Sequence, residues 1–263
     1  MTAPLVALRL DPAVSWSAVA SALRPEPRTE HGAPNPAADE LHHQTVAALD
    51  AGHVEEAMAL IERWRRIDSS DAPRVQLAVA LAMGGRTAEA EEEVRAVLAG
   101  NLADGDAWGV LGFLLADQGR RTEEAIVALG HALALDPQDH LCRIIRAMLR
   151  AGAGDLDPAM ADCAEIPADS DHFASSRRVW AAALGRLGRY AEGLRKLHEL
   201  DETTLEGPEA ATLRSWLLDE FFAERRDPHW GPRLPGKPQG LNPPIKLRGD
   251  GPLVSQMILD DRE

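Results

Sequence analysis

Between residues 38 and 207 apolar positions recur at intervals of three and four, and a glycine with a polar turn interrupts them about every 34 residues. An interval of three and four places apolar side chains on one face of an α-helix. The interrupted stretches read DAGHVEEAMALI, AMGGRTAEAEEEV, ADQGRRTEEAIVAL, RAGAGDLDPAMADC and GRLGRYAEGLRKL. Each carries a glycine suited to a helix C-cap, a polar turn and a fresh helix start. The glycines stand at Gly52, Gly85, Gly119, Gly154 and Gly188, with spacings of 33, 34, 35 and 34. This period predicts five stacked helix–turn–helix units.

Other positions keep the same phase. Small residues precede each glycine by seven positions, at Thr45, Ala78, Gly112, Ala147 and Ala181. After each turn come Ala57, Ala90, Ala125, Ala159 and Gly193, then the larger Ile61, Val94, Leu129, Cys163 and Leu197. Small side chains on one helix facing larger ones on the next let the two helices of a hairpin approach closely. The third copy holds the fullest set: Trp108, Leu111, Gly112, Leu115, Gly119, Ala125, Leu129, Ala132 and Pro137. In this order and spacing the chain resembles the tetratricopeptide repeat family. The resemblance covers residues 38–207. It implies an all-α, right-handed α-solenoid of about five helical hairpins. Trp108 is then expected inside the third hairpin and Gly112 at its close helix contact.

Two copies depart from the pattern. The first has Gln44 and Ala48 where large apolar residues are usual, and Trp64 where alanine is usual; a capping role accounts for an atypical terminal repeat. The fourth carries Arg143, Arg146 and Arg150 along its first helix. There Asp157-Pro158 reads as an N-cap followed by the first helical residue. Beyond the repeats, Pro208 opens a further helix over 208–227. Its Leu213, Trp216, Leu217 and Phe221 fall at helical spacing and predict a closing helix, with Phe221-Phe222 as an alternative partner site.

The ends have a different character. Residues 1–37 hold an alternating LVALRL, a short capped helix in DPAVSWSAVASAL and a proline-rich linker. Residues 228–263 form a Pro/Gly-rich basic tail ending in the apolar PLVSQMIL. The stretch 228–252 has seven prolines and five glycines, which forbids regular helix. An acidic body should attract this tail. It is expected to dock in a groove of its own chain or against LVALRL; a free tether is the alternative.

Composition narrows the function. The chain carries 42 acidic against 28 Lys and Arg residues, a formal charge of −14, which disfavours nucleic acid as partner. Two cysteines make neither a disulfide framework nor a zinc cluster and suit a reducing cytoplasm. No stretch approaches the roughly 18 apolar residues of a membrane helix, so no membrane insertion is expected. The nine histidines show no metal-ligand spacing, no glycine-rich phosphate loop follows a strand, and Glu91-Glu92-Glu93 reads as a solvated helix face. The expectation is a cytoplasmic, non-catalytic protein with no cofactor and no metal.

The resemblance also implies a binding groove lined by the first helices of the hairpins. Carried over copy by copy, its positions are His42, Val46 and Leu49; Val75, Val79 and Met83; Phe113; Leu141, Ile144 and Met148; and Arg178 and Arg186. They are mostly apolar, and two methionines add adaptability. An apolar peptide or amphipathic helix of a protein partner is the expected ligand, in an adaptor or scaffold. Alternatives are a secretion-type chaperone for an apolar cargo, and a structural subunit anchored by its termini.

Overall fold

The computed structural model describes residues 15–23, 35–119 and 121–224. Every regular element among them is an α-helix. A short α1 (Trp16–Ala22) comes first. Five hairpins follow: α2 (Pro36–Asp50) with α3 (Val54–Trp64), α4 (Ala72–Met83) with α5 (Thr87–Gly100), α6 (Gly105–Gln118) with α7 (Thr122–Leu135), α8 (His140–Ala153) with α9 (Leu156–Ala164), and α10 (Phe173–Arg186) with α11 (Tyr190–Leu197). Then come α12 (Glu202–Glu206) and α13 (Pro208–Glu224). The described residues up to Val179 form one compact unit and those from Trp180 a second. The LVALRL segment, residues 24–34 and the tail from residue 225, with its expected docking, lie outside the described residues.

The repeat period is a backbone geometry. All five turn glycines hold left-handed φ angles, 75° at Gly52, 77° at Gly85, 65° at Gly119, 100° at Gly154 and 75° at Gly188. A Cβ would oppose that conformation. In four of the turns the next amide reaches back to a carbonyl of the preceding helix: His53 to Ala48 and Arg86 to Leu81 at 2.8 Å, Asp155 to Arg150 and Arg189 to Leu184 at 2.9 Å. These bonds satisfy carbonyls that the helix end leaves open.

Within the first unit each helix packs on its hairpin partner, and α3, α5 and α7 pack on the first helix of the next hairpin. The first helices α4, α6 and α8 are also neighbours. The predicted small positions Thr45, Ala78, Gly112 and Ala147 are all buried, as are Ile61, Val94, Leu129 and Cys163. The closest approach is in the third hairpin. A Cβ on Gly112 would lie 2.6 Å from Leu129 Cγ and 3.2 Å from the Leu129 backbone nitrogen. Gly112→Ala should therefore overpack this contact and cost about 1–3 kcal/mol, read as a lowered thermal midpoint. An unchanged midpoint would mean that α6 and α7 separate freely, against the tight approach seen here.

The departures acquire physical reasons. In the first hairpin Trp64 is completely buried in a cluster with Ala38 and Leu41, and Leu60 and Ala72 pack against it. A large residue on α3 fills the room left by alanines at Ala38 and Ala72. Gln44 is exposed and donates to the Glu40 carboxylate at 2.7 Å. In the fourth hairpin Arg146 grips the buried Asp162 through two bonds, of 3.0 and 2.6 Å, and Arg150 adds a third of 2.8 Å. The arginine-lined helix is thus tied to α9 by charge at a buried carboxylate. The N-cap of α9 is Asp155, not Asp157. Pro158 is then the third helical residue, where the missing N–H is one that the helix start leaves unbonded anyway.

Two expectations need correction. Trp108 is half-buried, not enclosed; its ring stacks on His131 at 4.5 Å and its Nε1 donates to the Leu102 carbonyl at 3.0 Å. In the acidic run on α5 Glu92 is exposed as expected, but Glu91 and Glu93 are not simply solvated. Glu91 accepts from Arg121 at 2.8 and 2.5 Å and pairs with Arg95, which reaches on to Glu124 at 2.5 Å. Glu93 accepts from Arg74 at 3.3 Å. Hydrogen bonding from Arg121 holds the Glu91 carboxyl below the usual glutamate range, with burial opposing.

In the second unit α13 closes the last hairpin. A Cβ on Gly185 would press into the Trp216 ring and lie 2.6 Å from Leu217, and one on Gly193 would lie 3.2 Å from Leu217. The two glycines let α13 sit directly on the backbone of α10 and α11. Ala210, Leu213, Leu217 and Phe221 face inward, while Phe222 is exposed. Among the described residues no helix is long and apolar enough to cross a membrane.

Candidate functional site

The candidate site is the face made by the first helices of the hairpins. Asn35 caps α2 by accepting from the Ala38 amide at 3.3 Å; Asp104 and Asp139 cap α6 and α8 from Ala107 and Cys142, both at 2.8 Å. These caps fix where each first helix starts, and so which residues share the face. Neighbouring backbones come close where side chains are small. A Cβ on Gly109 of α6 would stand 2.9 Å from Cys142 Sγ of α8. Burial pushes the Cys142 thiol well above the ordinary cysteine value, with nearby acids adding to the shift. This cysteine serves packing.

The predicted groove positions are distributed unevenly. Val75, Val79, Leu49, Phe113, Leu141, Ile144 and Met148 are buried, while His42, Val46 and Met83 are half-buried. Arg178 is half-buried and donates to Ser175 Oγ at 3.3 Å; Arg186 belongs to the second unit and is exposed. The buried basic residue of α10 is the neighbouring Arg177. It donates to the carbonyls of Cys163 and Ile166 at 3.1 and 3.2 Å, and lies 4.4 Å over the Phe173 ring. Arg177 thereby closes the C-terminal end of α9. His42 sits 5.3 Å from the Trp64 ring, and burial, then the neighbouring His43, pushes its pKa below the ordinary value.

One residue of this face was absent from the sequence expectation. Trp16 of α1 meets Phe113 edge to face, with ring centroids 4.5 Å apart. Helix α1 packs on α2 and α4, and Ser17 Oγ bonds the Asp50 carboxylate. Its Val19, Ala20 and Leu23 are buried. A short helix of the chain itself therefore lies across the first helices of the first three hairpins. The signal was present, since Ser15 accepts from the Ala18 amide at 3.2 Å as an N-cap should. The receiving surface was not visible in the linear pattern.

Solved structures repeat this architecture. A tetratricopeptide repeat protein from Parabacteroides merdae ATCC 43184 superposes with a TM-score of 0.56 at 18% identity, over 73% of this chain and 76% of its own. TTC0263, a thermophilic TPR protein of Thermus thermophilus, gives 0.51 at 20% identity, over 70% of this chain and 99% of its own. The fold is that of a tetratricopeptide-repeat protein. MamA is also similar, with a TM-score of 0.51 at 15% identity, over 67% of this chain and 94% of its own. No family model matches the sequence. No curated protein matches it either.

The chemistry available on this face is that of contact. Its buried predicted positions are aliphatic, aromatic or thioether, His42 and Arg178 are half-buried polar positions of it, and the half-buried Met83 and Val46 offer apolar surface at its margin. Among the described residues no group of three or more His, Cys, Asp or Glu side chains could hold a metal ion.

Proposed function

We propose that the protein is a non-catalytic interaction scaffold, whose first-helix face receives an amphipathic helix of a protein partner. The observation that supports this reading is the seating of α1 on that face through Trp16 and Phe113. The face accommodates a helix, and the contact is apolar with a polar bond at its edge. This is the helix-in-groove mode of recognition, in which anchors at i, i+3, i+4 and i+7 carry the contact. The fold is a repeat array, which presents extended faces of this kind.

A photo-crosslinking side chain at Met83, on the face, should trap a discrete partner in lysate of the source cells. The same group at Glu92, exposed on α5, should not. Equal adducts at both positions, or adducts at Glu92 alone, would place the interaction elsewhere.

A further inference from the structure

Helix α1 has the properties of a ligand and few of a structural element. It spans seven residues, far short of the roughly 12–15 that a helix needs to persist alone in water. Its helicity therefore comes from the surface it lies on. Trp16, Val19, Ala20 and Leu23 form one stripe at i, i+3, i+4 and i+7, and the last three are buried. Ser21 and Ala22 on the other side are exposed. The hairpins are complete without it, since the small–large pairs that close them lie on the helix faces turned toward one another within each hairpin. Along the sequence α1 is separated from α2 by segment 24–34, which carries three prolines at Pro25, Pro27 and Pro34.

We propose that α1 is a built-in occupant of the partner site, which a partner helix of the same pattern must displace. This rests on the scaffold reading above and adds the partner's chemistry. The partner offers a helix with an aromatic residue followed by small or aliphatic residues at i+3, i+4 and i+7, and a hydroxyl beside the aromatic that reaches Asp50. Tethering gives α1 an effective concentration on the order of millimolar. An untethered helix with the same anchors competes against that concentration. If such a helix binds the open face at about 10 μM, the tethered copy weakens its apparent affinity about 100-fold. The site is then closed to weak, promiscuous apolar segments and opens for a partner that adds contacts beyond those of α1.

The test uses the full chain and a fluorescein-labelled synthetic peptide covering residues 12–24. The unaltered chain should bind it weakly. The double variant Trp16→Ala with Val19→Ala, with unchanged helical circular dichroism, should bind it about 100-fold more tightly. The same peptide with alanine in place of Trp16 should fail on both chains. Equal peptide affinity for both chains, or none for either, overturns the proposal. In that event Met83 adducts that persist on both chains leave the scaffold reading standing, and their loss removes it too. Hydrogen exchange on the unaltered chain supplies a second measurement, independent of the variant. Amides of α1 should exchange at least 100-fold faster than those of Val75 to Val79 in α4, and excess peptide should strip the remaining protection from α1 alone. Exchange of α1 as slow as that of α4 would make it an integral part of the fold and end the idea.

Discussion

Trp64→Ala should lower stability by about 3–5 kcal/mol, the usual range for truncating a buried large aromatic. The side chain has no exposed surface and fills the space beside Ala38 and Leu41. None of these neighbours is large enough to collapse into the gap. The loss is not confined to volume. Trp64 Nε1 donates to Asp68 Oδ2 at 2.8 Å, and Asp68 is itself buried, with its other oxygen accepting from the Ser70 amide at 2.9 Å. Alanine leaves that carboxylate with half its donors, and Trp64→Phe, which keeps most of the volume, should still lose about 1–3 kcal/mol on this account. Urea titration followed by circular dichroism measures both. In a repeat array each hairpin leans on its neighbours, so exchange should accelerate first in α2 and α3 and last in α8. A change below about 1 kcal/mol would refute the fit described here. The half-buried Trp108 gives the contrast: Trp108→Ala should cost about 1 kcal/mol, roughly half the value of a fully buried apolar side chain.

That contrast reverses what the repeat pattern implies, and the reversal shows what a sequence pattern holds. The period was legible because a left-handed turn at Gly52, Gly85, Gly119, Gly154 and Gly188 leaves few alternatives to glycine. The small–large pairs were legible because closeness within a hairpin is a local matter, settled by residues a fixed distance apart. Burial of Trp108 is settled by what lies above it, here His131 at the far end of α7, and no spacing rule carries that. Trp64 stood out as a departure, but its role depends on Ala38 and Ala72 being small in two other helices. The first helices α4, α6 and α8 are neighbours and make one face. That face is already seated by α1, a fact that no property of the groove residues discloses. The segment DPAVSWSAVASAL was readable as a short capped helix. Its destination required a surface made by three hairpins at once.

The fourth hairpin poses the same problem in charge. Read along the chain, Arg146 and Arg150 are a departure from the repeat pattern with no partner in view. In space they are one unit with Asp162. Asp162 is buried, with its side chain 6% exposed, and both its oxygens are taken by the two guanidinium groups. Its removal leaves two cations at a contact between α8 and α9 with no acid to meet them. Asp162→Ala should therefore cost about 3 kcal/mol, the low end for breaking a buried pair, because the arginine heads retain partial access to water. Asp162→Asn keeps the shape and one acceptor and should fall between. Salt distinguishes this site from the network around Glu91. Exposed pairs such as Arg95 with Glu124 contribute little and weaken further as ionic strength rises. The Asp162 deficit should persist at about 1 M salt, where the Debye length is near 3 Å, since the pair is shielded from solvent. The decisive experiment replaces all three residues together, Asp162→Leu with Arg146→Met and Arg150→Leu. An apolar contact of similar volume should restore the midpoint to that of the unaltered chain or exceed it, because three charges no longer have to be held out of water. If the triple variant is as unstable as Asp162→Ala, the ion cluster supplies something that apolar packing cannot replace. The fourth hairpin would then be specified by its charges and not merely tolerant of them.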